Sequence, residues 1–333
     1  MGFGCTSFSW ETKDGRHLLG RTYDQFGDLR VNRVIAVQKG APCAAGLRPG
    51  WAVSPSLHAY TGMAVLGFGE PIVVDGVNTA GLMGALLHYP GYAAYCPEAA
   101  PDTYPVHPGR LLAWLLARCG SVEEAVRELS ALTLTDDLSQ GAPLRAHYLL
   151  SGRSGEAVVA EPDAGGLSIH RHSIGVLANS PDYLWHLTNL RNYVGVTNLP
   201  KPPQMVAGAE IRPFGERLGG GAGLPGDYSS PSRFVRMAFL KQFSVRGRDE
   251  LDGVSRMFRA FAPVDIPEGL VKGGTGCEGY EQTLCTAVMC AESGVYYFAP
   301  AENRRISAVR PAGDGRETLY FSLGSAQDID YRN

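Results

Sequence analysis

Four residues, Met1-Gly2-Phe3-Gly4, stand ahead of a cysteine that begins a strand-like run. If the chain is cut between Gly4 and Cys5, one residue holds both halves of a catalytic pair. The thiol is the nucleophile, and its own α-amine, with an intrinsic pKa of about 7.7–8.0, lies near the pH at which a general base works best. The leader then has a purpose: it keeps that amine acylated until folding is complete. Without a cut, Cys5 suits an inward-facing strand residue, the common fate of a free cysteine. A second pattern overlaps the same letters, because Met1-Gly2 with Thr6 fits a myristoylation signal and Cys5 could be a palmitoylation partner, but no basic cluster supports it.

The element that must position Cys5 is a β-hairpin. In "CTSFSWETKDGRHLLGRTYD", two runs of mixed polarity flank Asp14-Gly15, a strong two-residue turn signal. With Asp14 and Gly15 as the turn, Cys5 lies directly across from Asp24, and opposed residues share a face with Cβ atoms about 5 Å apart. A carboxylate is thereby expected beside the cysteine. Arg21 is an odd number of residues from Asp24, so the same register sends it to the other side of the sheet unless a bulge re-aims it. That placement also suits a surface arginine.

Further strands are expected in "RVIAVQ", in "PIVVDGVN" turning into "GLMGALLHY", in "AHYLLSG", "EAVVAEP" and "IGVLAN", and near the end in "TLCTAVMC", "VYYFAP" and "RISAVR". Two helices interrupt the first strand-rich half: "GRLLAWLLARC", apolar around most of its surface, and "SVEEAVRELSAL", where Ser121 and Glu124 have capping-box spacing. Two more follow a Pro- and Gly-rich stretch at 199–227. In "SPSRFVRMAFLKQF", Ser230 and Pro231 open a helix with Arg233 in its first turn, where a cation opposes the helix dipole, and "DELDGVSRMFRAFA" comes next. The order of strands, two helices, strands, two helices, strands suits layered sheets covered by helices rather than a doubly wound parallel sheet. "GGGAGLPGDYSS" lacks the Lys-Ser/Thr of a phosphate-cradling loop and reads as a structural loop or an oligomer arm.

Composition narrows the partners. The 333 residues, 44% of them hydrophobic, can bury a large core as one α/β or α+β domain or two smaller ones. Thirty basic against 33 acidic residues give a net charge of −3 with no block of one sign, which argues against a nucleic-acid stripe or a membrane patch and for a small, nearly neutral or hydrophobic substrate. Seven cysteines, with no C-x-x-C pair and no histidine at ligand spacing, argue against structural zinc and a disulfide framework. The first ten residues hold neither a membrane-length run nor a signal peptide, so a cytoplasmic protein is expected.

Cys5 with Arg21 and Asp24, then "DGVNTAGLMGALLHYPG", "GVLANSPDYLWHLTNLRNY", "GLPGDYSSPSRFVR" and "AENRRISAV", resemble in order and spacing the choloylglycine hydrolase family of N-terminal-nucleophile hydrolases. The resemblance spans nearly the whole chain. That family contains conjugated bile salt hydrolases and penicillin V acylases, and the chain looks closer to the penicillin V acylase branch. The resemblance implies an α+β fold, a four-layer αββα sandwich, formed as a single domain by residues 5–333 once the leader 1–4 is removed. It also implies a homotetramer, with 181–225 as the oligomerisation arm.

The roles implied come residue by residue. Cys5 matches the nucleophile, Asp24 the carboxylate that holds its amine, and Arg21 and Arg233 the arginines that polarise and orient the nucleophile. Asn179 matches the side-chain donor of the oxyanion hole; by pattern alone it is a turn asparagine before Ser180-Pro181. His88 stands where the second donor, a backbone N–H, is expected. Relatives tend to carry Tyr or Asn there, so the pocket wall is altered while the backbone donor is kept. A lone histidine in an apolar strand otherwise suits a packed core residue. The activity implied is hydrolysis of a small-molecule linear N-acyl amide, without metal or organic cofactor, as in release of phenoxyacetate from penicillin V. A bile salt hydrolase, an N-acyl-homoserine lactone acylase and a non-catalytic, unprocessed binding protein are the alternatives.

Overall fold

A computed structural model describes residues 3–45, 52–135, 144–215, 219–274, 278–324, 326–327, 329 and 331–332. Met1 and Gly2 of the leader, 216–218 of the expected arm and Cys277 lie outside the described residues.

The opening hairpin forms as β1 (Phe3–Glu11) and β2 (His17–Phe26), but its register differs from the expected one. The loop has three residues rather than two: Thr12 N–H donates to Arg16 O (2.9 Å), Gly15 N–H to Thr12 O (3.2 Å), and Gly15 takes φ +82°. Glycine meets that left-handed geometry without a Cβ penalty, and the Asp14-Gly15 signal thus builds a three-residue loop closed by a left-handed residue. Cys5 consequently pairs with Tyr23, Ser7 with Arg21, and Gly4 with Asp24. A one-residue slip exchanges the faces of a strand. Arg21 therefore joins the face of Cys5, and Asp24 goes to the opposite one.

The hairpin lies inside a seven-stranded antiparallel sheet ordered Val176–Leu177, β1, β2, Tyr280–Cys290, Tyr296–Pro300, Ser307–Val309, with Val271–Lys272 also paired to Tyr280–Cys290. A second sheet of eight strands runs Gly166–His170, Ala157–Asp163, Ala146–Ser151, Met83–His88, Ile72–Asn78, Tyr60–Val65, Asn32–Val37, Thr318–Phe321. Most of these strands match the sequence expectation; Tyr60–Val65, Gly166–His170, Val271–Lys272 and Thr318–Phe321 do not appear in it.

Five α-helices are described: α1 (Pro108–Arg118), α2 (Val122–Ser130), α3 (Tyr183–Asn189), α4 (Ser230–Phe243) and α5 (Glu250–Phe261). Ser121 caps α2 as its spacing predicts, accepting from Glu124 N–H at 3.2 Å, while the Glu124 carboxylate reaches back to Gly120 N–H at 2.7 Å. At α4 the cap is Ser229, one residue before the expected Ser230.

The layers follow from which faces are apolar. Phe8 of β1 packs on Phe261 of α5 with ring centroids 4.9 Å apart, so the even-numbered face of β1 meets α4 and α5. The odd-numbered face, carrying Cys5, meets the second sheet. Beyond that sheet, Leu111, Leu112, Leu115 and Leu116 of α1 form a separate buried cluster with Tyr148, Leu150 and Val158. The result is the four-layer αββα sandwich.

Close packing between the first sheet and α5 makes one position exacting. A Cβ added at Gly20 would sit 2.7 Å from Phe261 Cε2 and 3.1 Å from the Ala287 carbonyl oxygen. Gly20→Ala is expected to destabilise the protein by about 1–3 kcal/mol, since overpacking forces backbone or rotamer shifts. A denaturant melt showing no loss of stability would contradict this layer contact.

Candidate active site

Cys5 stands near the start of β1 and is 1% exposed. Its thiol points between the sheets, where Arg21 Nη2 donates to Sγ at 2.5 Å. Arg21 is fully buried and is held from the second sheet: Nη1 donates to Asp75 Oδ2 (3.2 Å) and to Val74 O (3.3 Å). Asp75 is fixed in turn by Tyr296 Oη–H (2.6 Å) and Met63 N–H (3.2 Å). Burial pushes the Cys5 thiol up, and the Arg21 guanidinium opposes that rise. Such a cation beside the sulfur favours the thiolate, which is the nucleophilic form.

The backbone of Cys5 is gripped from the helix side. Asn179 Oδ1 accepts from Cys5 N–H (2.9 Å) and from Arg233 Nη2 (2.7 Å). Arg233, in the first turns of α4, also donates through Nη1 to Cys5 O (2.6 Å) and Thr6 Oγ1 (2.5 Å), and through Nε to Tyr228 O (2.9 Å). Its Nη1 lies 3.6 Å from Asp24 Oδ2. A cation at a helix start opposes the dipole, and here four acceptors and a buried carboxylate offset that cost. Asp24 accepts from Thr283 (2.6 Å) and Thr22 (3.2 Å); burial raises its carboxyl, and Arg233 with those two hydroxyls opposes the rise.

All six expected residues thus converge on one region, with two departures from the sequence reading. Asp24 faces Arg233 and the threonines rather than lying across from Cys5, and the Cys5 N–H is taken by Asn179. Arg21 is a buried partner of the thiol, not a surface residue. Asn179 Nδ2 also donates to His88 O at 2.7 Å, which sets the two expected oxyanion donors side by side at the end of the Met83–His88 strand.

Two buried histidines escaped the sequence reading. His147 bridges the Glu161 carboxylate (Nδ1, 2.9 Å) and the Ala178 carbonyl (Nε2, 3.0 Å), stacked on Tyr89. His186 of α3 donates from Nε2 to the Asn179 carbonyl at 2.9 Å and stacks on Phe234. Together they brace the backbone at Ala178 and Asn179, where the Ser180–Pro181 peptide is cis. Neither has a local motif; each is recognisable only once chain-distant carbonyls are brought beside it. Asp75, Glu281 and Thr283 were missed for the same reason.

Burial lowers His186 to about 4, against the hydrogen bond to Asn179, and its Nδ1 has no hydrogen-bond partner among the described residues. Protonation would place an unpaired N–H in the core. The unfolded chain binds more protons between about pH 6.5 and 4, so stability is present above pH 6.5 and is lost as pH falls toward 4. The expected loss from this residue is up to about 3 kcal/mol. A melt series from pH 7 to 4 should show this component in the parent and lack it in His186→Gln.

A cleft of about 710 Å³ opens over the site. Gly4, His88, Asn179, Tyr228, Arg233 and Glu281 line it, with Phe26, Leu270 and Val271 on its apolar side. Cys5 itself does not line the cleft; its neighbour Gly4 does. Among the described residues, no group of three or more His, Cys, Asp or Glu side chains is placed to hold a metal ion, and no helix is long and apolar enough to cross a membrane.

Comparison with known proteins places this geometry. The family model for linear amide C–N hydrolases, choloylglycine hydrolase family, matches residues 5–312. A bile salt hydrolase/transferase of Clostridium perfringens is 30% identical, over 99% of this chain and 100% of its own. The crystal structure of a mutant conjugated bile acid hydrolase from the same organism superposes with a TM-score of 0.88 at 29% identity, covering 99% and 100% of the two chains. Penicillin V acylase from Agrobacterium tumefaciens has a TM-score of 0.73 at 19% identity, covering 92% and 86%. That last likeness carries the fold alone. The expected closeness to the penicillin V acylase branch is therefore corrected: the bile salt hydrolase alternative fits the relatives better.

Proposed function

The chain belongs to the choloylglycine hydrolase family of linear amide C–N hydrolases, and from that premise we propose that it is an N-terminal-cysteine amidase for N-acyl amides of the conjugated bile acid type. The observation that carries this reading is the Cys5 thiol held by Arg21, one residue along the strand from Gly4, which lines the cleft. Loss of residues 1–4 would open Cys5 to the cleft and free its amine where Asn179 now accepts the Cys5 N–H.

The chemistry follows from those contacts. The Cys5 sulfur attacks the amide carbonyl carbon, the thiol proton passes through the α-amine to the leaving amine, and water hydrolyses the resulting thioester. Arg21 stabilises the sulfur as an anion. Arg233 holds Asp24, the Cys5 carbonyl and Asn179 in register with the amine. The Asn179 amide and the His88 backbone N–H serve as oxyanion donors, a role in which one donor is typically worth about 10²–10³ in rate. The cleft volume is within the range of about 300–1,000 Å³ that encloses a drug-sized ligand, and its apolar wall of Phe26, Leu270 and Val271 suits a steroid acyl group.

Rates on glycocholate and penicillin V, measured side by side, test the substrate class. Glycocholate is expected to have the higher kcat/KM by at least about tenfold, or about 1.4 kcal/mol of transition-state preference. The reverse order would restore the penicillin V acylase reading. The homotetramer remains part of this proposal. Its support is the excursion after Asn179, where the Gln204–Val206 and Ala209–Ile211 hairpin exposes Met205, Val206 and Ile211 and leaves Phe214 fully exposed. Light scattering is expected to give four copies of the chain, and a monomer would refute that assembly.

A further inference from the structure

The two oxyanion donors come from opposite sheets. His88 ends the strand Met83–His88 of the second sheet, whereas Asn179 follows Val176–Leu177, which pairs with β1 in the first. Their separation therefore depends on what ties one sheet to the other at this end. His147 is placed to do so. It pairs with Leu87, beside His88, and continuing the Leu149–Val159 pairing by two residues sets Glu161 across from it. Alternation puts both on the face of Leu149 and Val159, which belong to the same buried cluster as Cys5. His147 Nδ1 donates to Glu161 Oε1 (2.9 Å), and Nε2 donates to the carbonyl of Ala178 (3.0 Å), the residue before Asn179. The ring of Tyr89, the residue after His88, stacks on the imidazole with centroids 4.3 Å apart and planes 8° from parallel. One ring thus touches the chain neighbours of both donors.

Glu161 holds that ring from behind. Its carboxylate also accepts the Tyr183 N–H (3.2 and 3.0 Å to its two oxygens), and Oε2 lies 3.4 Å from His170 Nε2. His147 and Glu161 are 0% and 2% exposed, and neither lines the cleft, so their part in the reaction is indirect. We infer that His147, oriented by Glu161, is a positioning residue for amide hydrolysis that sets the Asn179 amide against the His88 N–H. The inference rests on the reading that these two groups hold the oxyanion. Such donors work by being fixed in advance where the charge develops. Without the Nε2 bond the Ala178 carbonyl is free to move and carries Asn179 with it, and a shift of about 1 Å at a positioned group can cost about 10²-fold in rate.

Two substitutions divide the ring's bonds between them. In His147→Asn the amide keeps a donor toward Glu161 but is too short to reach Ala178, while in His147→Gln the amide reaches the Ala178 carbonyl from the Nε2 position. Glycocholate hydrolysis and the rate of Cys5 alkylation, read by peptide mapping, are measured for both and for the parent, with melts to confirm folding. His147→Asn is expected to lower kcat by about 10- to 100-fold with KM within about threefold, the pattern of an interaction made in the transition state. Alkylation of Cys5 passes through no oxyanion, so it should stay within about threefold of the parent rate, which a general loosening of the site would not allow. His147→Gln should keep kcat within about fivefold. If His147→Asn fails to fold, His147→Phe combined with Glu161→Gln carries the same expectation, because it keeps an aromatic ring under Tyr89 and strands no carboxylate. A folded variant of either kind with the parent's kcat, or one whose alkylation falls as far as its hydrolysis, overturns the positioning role alone. A parent that is alkylated at Cys5 yet hydrolyses neither glycocholate nor penicillin V ends the reading of the oxyanion donors, and the positioning role falls with it.

Discussion

Replacing Cys5 with alanine is expected to lower amide hydrolysis by at least about 10⁴-fold while leaving the protein folded, the order of loss seen when a covalent nucleophile is removed. Both halves of that expectation come from the site. Sγ is the atom to which Arg21 donates, and no other described cysteine accepts from a guanidinium: burial pushes Cys43 and Cys290 up to about 11 and Cys119 to about 12, and burial with Asp75 raises Cys285 against Arg21 and a backbone hydrogen bond. The structural cost is small. Alanine removes one buried sulfur, worth about 1 kcal/mol, and Arg21 keeps Asp75 and the Val74 carbonyl. Hydrolysis assays paired with thermal melts check it. Activity retained in a folded Cys5→Ala chain would end the nucleophile assignment.

Arg21→Met should be costly twice over. The Arg21–Asp75 pair is buried, with side chains 1% and 0% exposed, so removing the cation leaves an uncompensated carboxylate in the core. Breaking such a pair from one side typically costs about 3–5 kcal/mol. The thiol also loses the cation that opposes its burial, and hydrolysis should fall by at least about 10²-fold even where the variant remains folded. The two effects can be separated. Adding Asp75→Asn removes the stranded charge and is expected to recover much of the stability, whereas activity should stay low. If the double variant recovers both, Arg21 is only a structural ion pair.

Local signals carried most of the fold. Short apolar runs bounded by turn residues located the strands around Ile72–Asn78 and Met83–His88, and capping chemistry located α2. The hairpin shows where this kind of reading stops. Asp14-Gly15 identified the turn correctly, but the same dipeptide serves a two- or a three-residue loop, and that single residue decides which face Arg21 and Asp24 occupy. The independent support it gave for Asp24 beside Cys5 was therefore misplaced, although Arg233 still brings Asp24 into the site from the other side. Asn179 and Arg233 were legible only through the resemblance, since neither stands out in its own stretch. His147 and His186 were not legible at all. Their meaning lies in partners 31 and 7 residues away in sequence, and only folding makes those neighbours. The substrate branch was misjudged because it depends on the cleft walls, which chain-distant residues such as Phe26, His88 and Leu270 build together.

The central claim is that Cys5 is a working N-terminal nucleophile, and the intact mass of the purified protein before and after brief alkylation at neutral pH tests it most directly, with peptide mapping to separate Cys5 from the exposed Cys96. The account expects a mass lacking residues 1–4 and rapid modification at Cys5, with hydrolysis lost in step with that modification. A chain that keeps its leader and hydrolyses amides, or one whose activity survives full modification of Cys5, would contradict it.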